Sequence, residues 1–391
     1  MRVSTPTMFQ NIEWNLQRLA GELQRVNQSI SSGRKYQSIA DQPVEVGAIL
    51  GLESETRQVT QWQRNLETAG QWLGVTESTL RQVEEIVRAA MTLANQMATG
   101  TYNAQQRQAA AQQVQGFIDA AVRLGNTRFR GNYILSGYRI DTAPFAPAGW
   151  EIQPPNLKLQ PGSTGAAASG GVFTGTAGRT YVVEIVSGGG AGVGTYRVTQ
   201  DGGTTWTDPA LIPPGPVAIG SDGVEVTFSG AWVAGDRYSV SVYQPIRYQG
   251  DEHILEIGLG FNNRLAVSEV GGQVLGGQGG SGDLFRMLAD LKTSLEADDA
   301  AEVGSALESL RTYQGRLTST LAGLGTSLDQ VETNQMVFDN LKFQLVTALS
   351  KKGDTDLVEA VNLLKSLEVA YQGALLASTK VMGTSLLDYL D

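Results

Sequence analysis

Cysteine is missing from the 391 residues. That excludes thiolate catalysis, disulfide staples and zinc-thiolate sites. Histidine occurs once, as His253. One imidazole excludes any site that needs two and leaves no ready base for a Ser-His-Asp arrangement. Charge is sparse: 17% of residues against roughly 25% in ordinary soluble domains. The 29 basic residues are outnumbered by 39 acidic ones, for a net charge of −10. A nucleic-acid binder presents a basic face, so this balance argues against nucleic acid, and more weakly against an anionic membrane surface. No apolar run approaches the ~18 residues of a membrane span, so no membrane insertion is expected. Met1 to Gln17 lacks the ~7–15-residue apolar core of a secretory signal, so export is expected to use another route.

Glycine is plentiful but confined. Residues 149–282 hold 29 of the 47 glycines. The same third carries Arg179 to Val186, Gly194 to Thr199, Gly223 to Phe228 and Asp236 to Tyr243, each rich in β-branched and aromatic residues and bounded by Gly, Asp or Pro. These features predict a small antiparallel β domain.

Both ends read as helix. Phe9, Ile12, Leu16, Leu19, Leu23, Val26 and Ile30 alternate steps of three and four, a heptad seam. Leu52, Val59, Leu66, Leu73, Leu80, Val87 and Ala94 then recur every seven residues, with partners three positions on that are polar only at Glu55 and Thr76. A shorter seam is Ala110, Val114, Phe117, Ala121 and Leu124. The last third mirrors this from Val303 to Leu349, with Gln314, Gln335 and Lys342 as polar interruptions. Lys351-Lys352-Gly353 reads as a helix stop and Asp354 or Thr355 as the next N-cap. A final seam holds Leu357, Ala360, Leu364, Leu367, Tyr371, Ala374 and Val381.

The predicted class is therefore α+β: an elongated antiparallel helical bundle or coiled coil formed by both chain ends, with a small antiparallel β domain inserted. The expected divisions are 1–45 (terminal helix and linker), 46–148 (first part of the bundle), 149–250 (β insert), 251–282 (return and hinge), 283–352 (second part of the bundle) and 353–391 (last helix). The terminal seams have two readings. They complete an ordinary intramolecular bundle, or they are offered to other subunits.

Four segments carry a family resemblance. Ser31 to Asp41 (SSGRKYQSIAD) with Gln42-Pro43 resembles the flagellin-family segment where the first helix ends at Ser-Ser/Thr-Gly-basic and Asp-Asp-Pro starts the next; here Gln42 replaces one acid. Asn132 to Phe145 (NYILSGYRIDTAPF) is similar to the Ser-Gly-Tyr and Thr-x-Pro-Phe arrangement of the family's hook-filament junction proteins. Tyr248-Gln249-Gly250-Asp251 and Asp354 to Val361 (DTDLVEAV) resemble two further family segments. The matching positions include Ser32, Gly33, Arg34, Asp41, Pro43, Tyr133, Gly137, Tyr138, Pro144 and Phe145.

The resemblance implies a structural, non-enzymatic subunit of the bacterial flagellum, exported through the type III channel without a cleaved signal and required for motility. Its implied partners are copies of itself in a tubular lattice, the first hook-associated protein, flagellin, and an export chaperone on the C-terminal segment. No cofactor or metal is expected. Two alternatives stay open: a flagellin-like filament protein, and a carbohydrate-binding or hydrolytic module in the insert using Glu184 and Glu225. His253 reads as a packed or surface residue. Gly188–Gly192 and Gly276–Gly280 read as loops, lacking the Lys-Ser/Thr of a phosphate cradle. Asp283, Asp290, Glu296, Asp298, Asp299 and Glu302 fit no calcium loop and read as a solvated helix face. Trp14, Trp62, Trp72 and Tyr102 read as packing anchors.

Overall fold

In the computed structural model the described residues are 5–260, 263–280 and 282–390, with their side chains from Gln10 to Lys380 except that of Asn263. The chain is α+β, and its order is helices, strands, helices. Helix α1 is Thr5–Ser32, α2 Pro43–Met97 and α3 Ala104–Gly125; α4 is a single turn, Gly271–Val274; α5 is Leu284–Glu296, α6 Ala300–Gly353 and α7 Leu357–Leu390.

Local chemistry accounts for the helix ends. Gly33, at φ +69°, ends α1 in the left-handed region that glycine enters freely. Pro43 occupies the first position of α2, where its missing N–H is no loss. Asn103 and Gln106 form a reciprocal capping box on α3. Asp283 caps α5 through Phe285 N–H and Arg286 N–H. The cap of α7 is Asp356, whose Oδ1 accepts from Val358 N–H at 2.9 Å and Glu359 N–H at 3.1 Å. This corrects the expectation of Asp354 or Thr355, whose N–H groups instead bond Ser350 O and Gly33 O.

The chain falls into two compact units, residues 1–64 with 334–391, and residues 65–333. In the first, α1 packs along α7, and side chains at the start of α2 meet those at the end of α6 in antiparallel sense. Trp62 lies 5.5 Å from Phe338, Gln63 bonds Asp339, and Glu45 pairs with Lys352 at 2.8 Å. Lys342, a polar break in the α6 seam, donates to Gln63 at 3.2 Å, which satisfies it there.

The second unit holds the rest of α2 and α6 with α3, α5 and all strands. Leu66, Leu73, Leu80, Val83, Val87, Ala90 and Ala94 of the α2 seam are fully buried. Thr76 is buried too, its hydroxyl bonding Trp72 O at 3.0 Å. On α6 the predicted Gln314 is only half-buried; at that turn the core residue is Tyr313, whose hydroxyl donates to Val274 O at 2.9 Å.

Strands β1 (Arg128–Phe129) and β2 (Asn132–Tyr133) form a small hairpin. Strand β3 (Phe145–Pro147) pairs with β13 (Ile246–Tyr248) where the insert leaves and rejoins the frame. Between them lie β4 (Glu151–Ile152), β5 (Asn156–Lys158), β6 (Ala166–Gly171), β7 (Arg179–Ser187), β8 (Thr195–Thr199), β9 (Ala210–Leu211), β10 (Val217–Ala218), β11 (Val224–Ser229) and β12 (Arg237–Tyr243). One sheet runs β4-β12-β7-β8-β9, with β5 also on β12; the other runs β10-β11-β6. All pairings are antiparallel. Alternate residues of both sheets, among them Tyr181, Val183, Tyr238, Val224, Val226 and Phe228, share one core with Trp232. The four strands legible in the sequence appear within a residue of their predicted ends. A last hairpin joins β14 (Glu256–Gly260) to β15 (Asn263–Ala266).

Three expectations need correction. Trp14 is 64% exposed and anchors nothing; Arg18 lies over its ring. The acidic cluster is not one solvated face: Asp283 and Glu296 are buried, Asp298 pairs with the buried Arg107, and Asp299 with Lys158. Leu357, assigned to the α7 seam, is 55% exposed, so the packed register of α7 begins at Ala360.

Candidate functional site

Two features gather the residues singled out from the sequence. The first is the terminal helix pair. Ile12, Leu16, Leu19, Leu23, Val26 and Ile30 of α1 are each half-buried, as are Leu364, Leu367, Tyr371 and Ala374 of α7; Ala360 is buried. The side chains of Phe9 and Val381 lie outside the described residues. Away from that seam α7 exposes Val358, Val369 and Leu376 at 74%, 70% and 71%.

The two helices are tied at one end by their connections. Lys35 N–H donates to Gly353 O at 2.7 Å and Thr355 N–H to Gly33 O at 2.9 Å, and Arg34 bridges Asp354 in antiparallel register. Ser32 Oγ accepts from Arg34 N–H at 3.2 Å and from the Gln37 amide at 2.6 Å. Asp41 takes the Gln37 and Ser38 N–H groups, both at 2.9 Å, and these bonds hold its carboxyl below the ordinary aspartate range. Ser32, Gly33, Arg34, Asp41 and Pro43 are thus parts of the one segment that joins α1 to α2 and bonds the α6–α7 connection.

The second feature is a knot of backbone where residues 133–138 meet 248–253. Asp251 N–H donates to Ser136 O at 3.1 Å. The Tyr248 hydroxyl lies 3.0 Å from Leu135 O and 2.8 Å from Asp251 O. Burial, with the Asp251 charge nearby, pushes that phenol up to about 12. Phe145 sits beneath, 5.1 Å from Phe285 and 5.4 Å from Tyr248, and exchanges two hydrogen bonds with the Asn126 side chain. Pro144 O accepts from Gln249 N–H. The Tyr133 ring lies under Arg128, 4.2 Å from its guanidinium carbon. Gly137 has φ +68°, and a Cβ there would strike the Asp251 carboxylate. Tyr138, more than half exposed, stacks on His253 at 4.7 Å and 15°. His253 thus proves to be a surface partner of the motif, as expected of a lone histidine.

Glu184 and Glu225 do not converge. They belong to different sheets, flanked in β7 and β11 by residues of the shared core, and so face away from it on opposite sides. Glu184 is bound by Arg197 at 2.5 Å. Among the described residues no group of three or more His, Cys, Asp or Glu could hold a metal ion, and no helix is long and apolar enough to cross a membrane.

Residues 3–140, which carry the α1–α2 connection and the first half of the knot, match the model of the bacterial flagellin N-terminal helical region. By this match the N-terminal third of the chain is similar to bacterial flagellin. Two relatives, both named flagellar hook-associated protein 3, are similar to part of the chain. The one from Escherichia coli K12 is 28% identical over 147 residues, 37% of this chain and 46% of that protein. The one from Salmonella typhimurium LT2 is 27% identical over 146 residues, with the same shares. The aligned stretch spans under half the length of either relative. A flagellar hook-associated candidate from Vibrio parahaemolyticus shares the fold at a TM-score of 0.51 and 12% identity, covering 80% of this chain and 100% of that one.

Sequence reasoning missed Asp356 as a cap and Arg107 as a buried ion-pair partner. Asp356 could have been found as the acid two residues before Val358. Arg107 lies in α3 three residues before the Ala110–Leu124 pattern begins and carries no local sign of burial.

Proposed function

We propose that the chain is a structural subunit of the bacterial flagellum that joins hook to filament. The observation that carries this reading is the tied pair of terminal helices, the first of which lies in the region that matches the flagellin N-terminal model. Their mutual seam is only half-buried, and α7 keeps large aliphatic side chains in water. Covering an exposed Val or Leu is worth about 1.5–3 kcal/mol, so each copy gains by docking its ends on others. The interface residues are those of the two seams, Phe9 to Ile30 and Leu357 to Val381.

In this reading the partners are further copies in a helical ring or tube, the first hook-associated protein on one side and flagellin on the other. An export chaperone holds the C-terminal segment before assembly. The protein works outside the cell at the hook-filament junction, reached by the flagellar type III route. It carries no catalytic role.

Electron microscopy of flagella from a strain lacking the gene tests the proposal. Hooks without filaments, with flagellin shed into the medium and restored by the intact gene, are expected. Hooks bearing normal filaments would overturn it. A copy number matching the filament subunit would favour a flagellin-like filament protein instead.

A further inference from the structure

A cleft of about 950 Å³ opens within the second unit between the β insert and helices α3 and α5. Its size is that of a small-molecule site, and such sites favour the seam between a domain and its frame. Its charged groups are already engaged. Arg179 pairs with Asp222, Arg247 with Glu151, Lys292 with Glu296 and Arg286 with Asp290. Asp283 is consumed by backbone amides, Asp201 by Thr199 and Thr205, and Asp119 by the Gln115 amide. A charged ligand would have to break one of these pairs and leave its partner unsatisfied.

What the cleft does offer is neutral. Exposed Gln112 on α3 and half-buried Trp150 line it, and the Gln108 side-chain oxygen, one turn before Gln112, is buried without a donor. Trp150 packs edge-on against Phe173. Apolar floor residues such as Ile118, Pro245 and Phe285 complete the wall. An unsatisfied amide oxygen and a solvent-facing amide beside an aromatic ring and an apolar floor suit a ligand with hydroxyls at its edge and C–H groups on its faces. We propose that this cleft binds a neutral oligosaccharide.

The test is isothermal titration of the full chain with maltotetraose, cellotetraose and chitotetraose, followed also by tryptophan fluorescence, with tetragalacturonate as the anionic comparison. At least one neutral tetrasaccharide is expected to bind and to change Trp emission. Gln112→Leu, at an exposed position in the cleft lining, should leave melting unchanged and weaken that binding about tenfold, the loss of one hydrogen bond. Trp150→Phe should remove most of the fluorescence change. The proposal is overturned if no neutral sugar binds at millimolar concentration, if tetragalacturonate binds more tightly than all three, or if Gln112→Leu leaves the affinity intact.

Discussion

Tyr138 N–H and His253 N–H converge on one oxygen of Asp251, at 2.9 and 3.0 Å. Partial burial raises the carboxyl's pKa, but the two donors outweigh it and hold it below the ordinary aspartate value. An unfolded aspartate titrates near ~3.9, so this carboxylate's contribution is fully present above that pH and is lost as pH falls through the lower folded value. Asp251→Asn should lower stability at pH 7 by about 1–2 kcal/mol, the cost of weakened charge-assisted bonds. Urea midpoints at pH 7 and in strong acid check this. The gap between variant and parent should narrow in acid, and a constant gap would assign the loss to shape alone.

Gly137 and Gly131 both hold positive φ, at +68° and +89°, yet only Gly137 faces an obstacle. Gly131→Ala should cost about 1–2 kcal/mol, the strain of a left-handed alanine. Gly137→Ala should cost clearly more, because its methyl also displaces Asp251. Thermal melting of the two variants separates strain from collision. Equal losses would show that the segment moves aside and that the knot is loosely made.

Much of this arrangement could be read from the residues. The heptad seams of α2 and α6 mark their buried faces, since a period of seven is a local property. The strands of the insert are legible because alternation and turn residues are local too. Contacts far apart in sequence were not: nothing near Glu296 signals that Thr180 bonds it at 2.8 Å, nor anything near Arg107 that Asp298 will pair with it. The acidic cluster misled for that reason, because its basic and hydroxyl partners lie on other elements.

The β insert should be removable. Ala148 N–H bonds Pro245 O at 2.8 Å, so its two ends meet within one hydrogen bond. We place the excision at 149–244 rather than through residue 250, since Tyr248 and Asp251 hold the 133–138 segment. A short Gly-Ser linker in its place should leave the helical frame folded and exported. Removing Thr180 and Lys158 strips partners from Glu296 and Asp299, so the frame should melt somewhat lower. Circular dichroism and a motility assay check this: loss of folded protein would show that the insert is integral to the frame.

The terminal seams should fail differently from the inner helices. Leu19 and Leu367 are half-buried in the isolated chain, whereas Leu73 and Leu324 are 1% and 2% exposed. Leu73→Asp or Leu324→Asp buries an unpaired carboxylate in the core, a cost of several kcal/mol that should unfold the subunit. Leu19→Asp or Leu367→Asp leaves the carboxylate partly in water, so the monomer should lose only a modest part of its α1–α7 packing. In an assembly that covers the seam the same carboxylate is desolvated in every copy, and the penalty repeats around the ring. Monomer melting curves and cell motility should therefore separate the two pairs. Leu19→Asp and Leu367→Asp are expected to give folded, exported protein and non-motile cells. If they depress monomer melting as far as Leu73→Asp does, the terminal helices are an ordinary intramolecular pair and the assembly seam lies on another face.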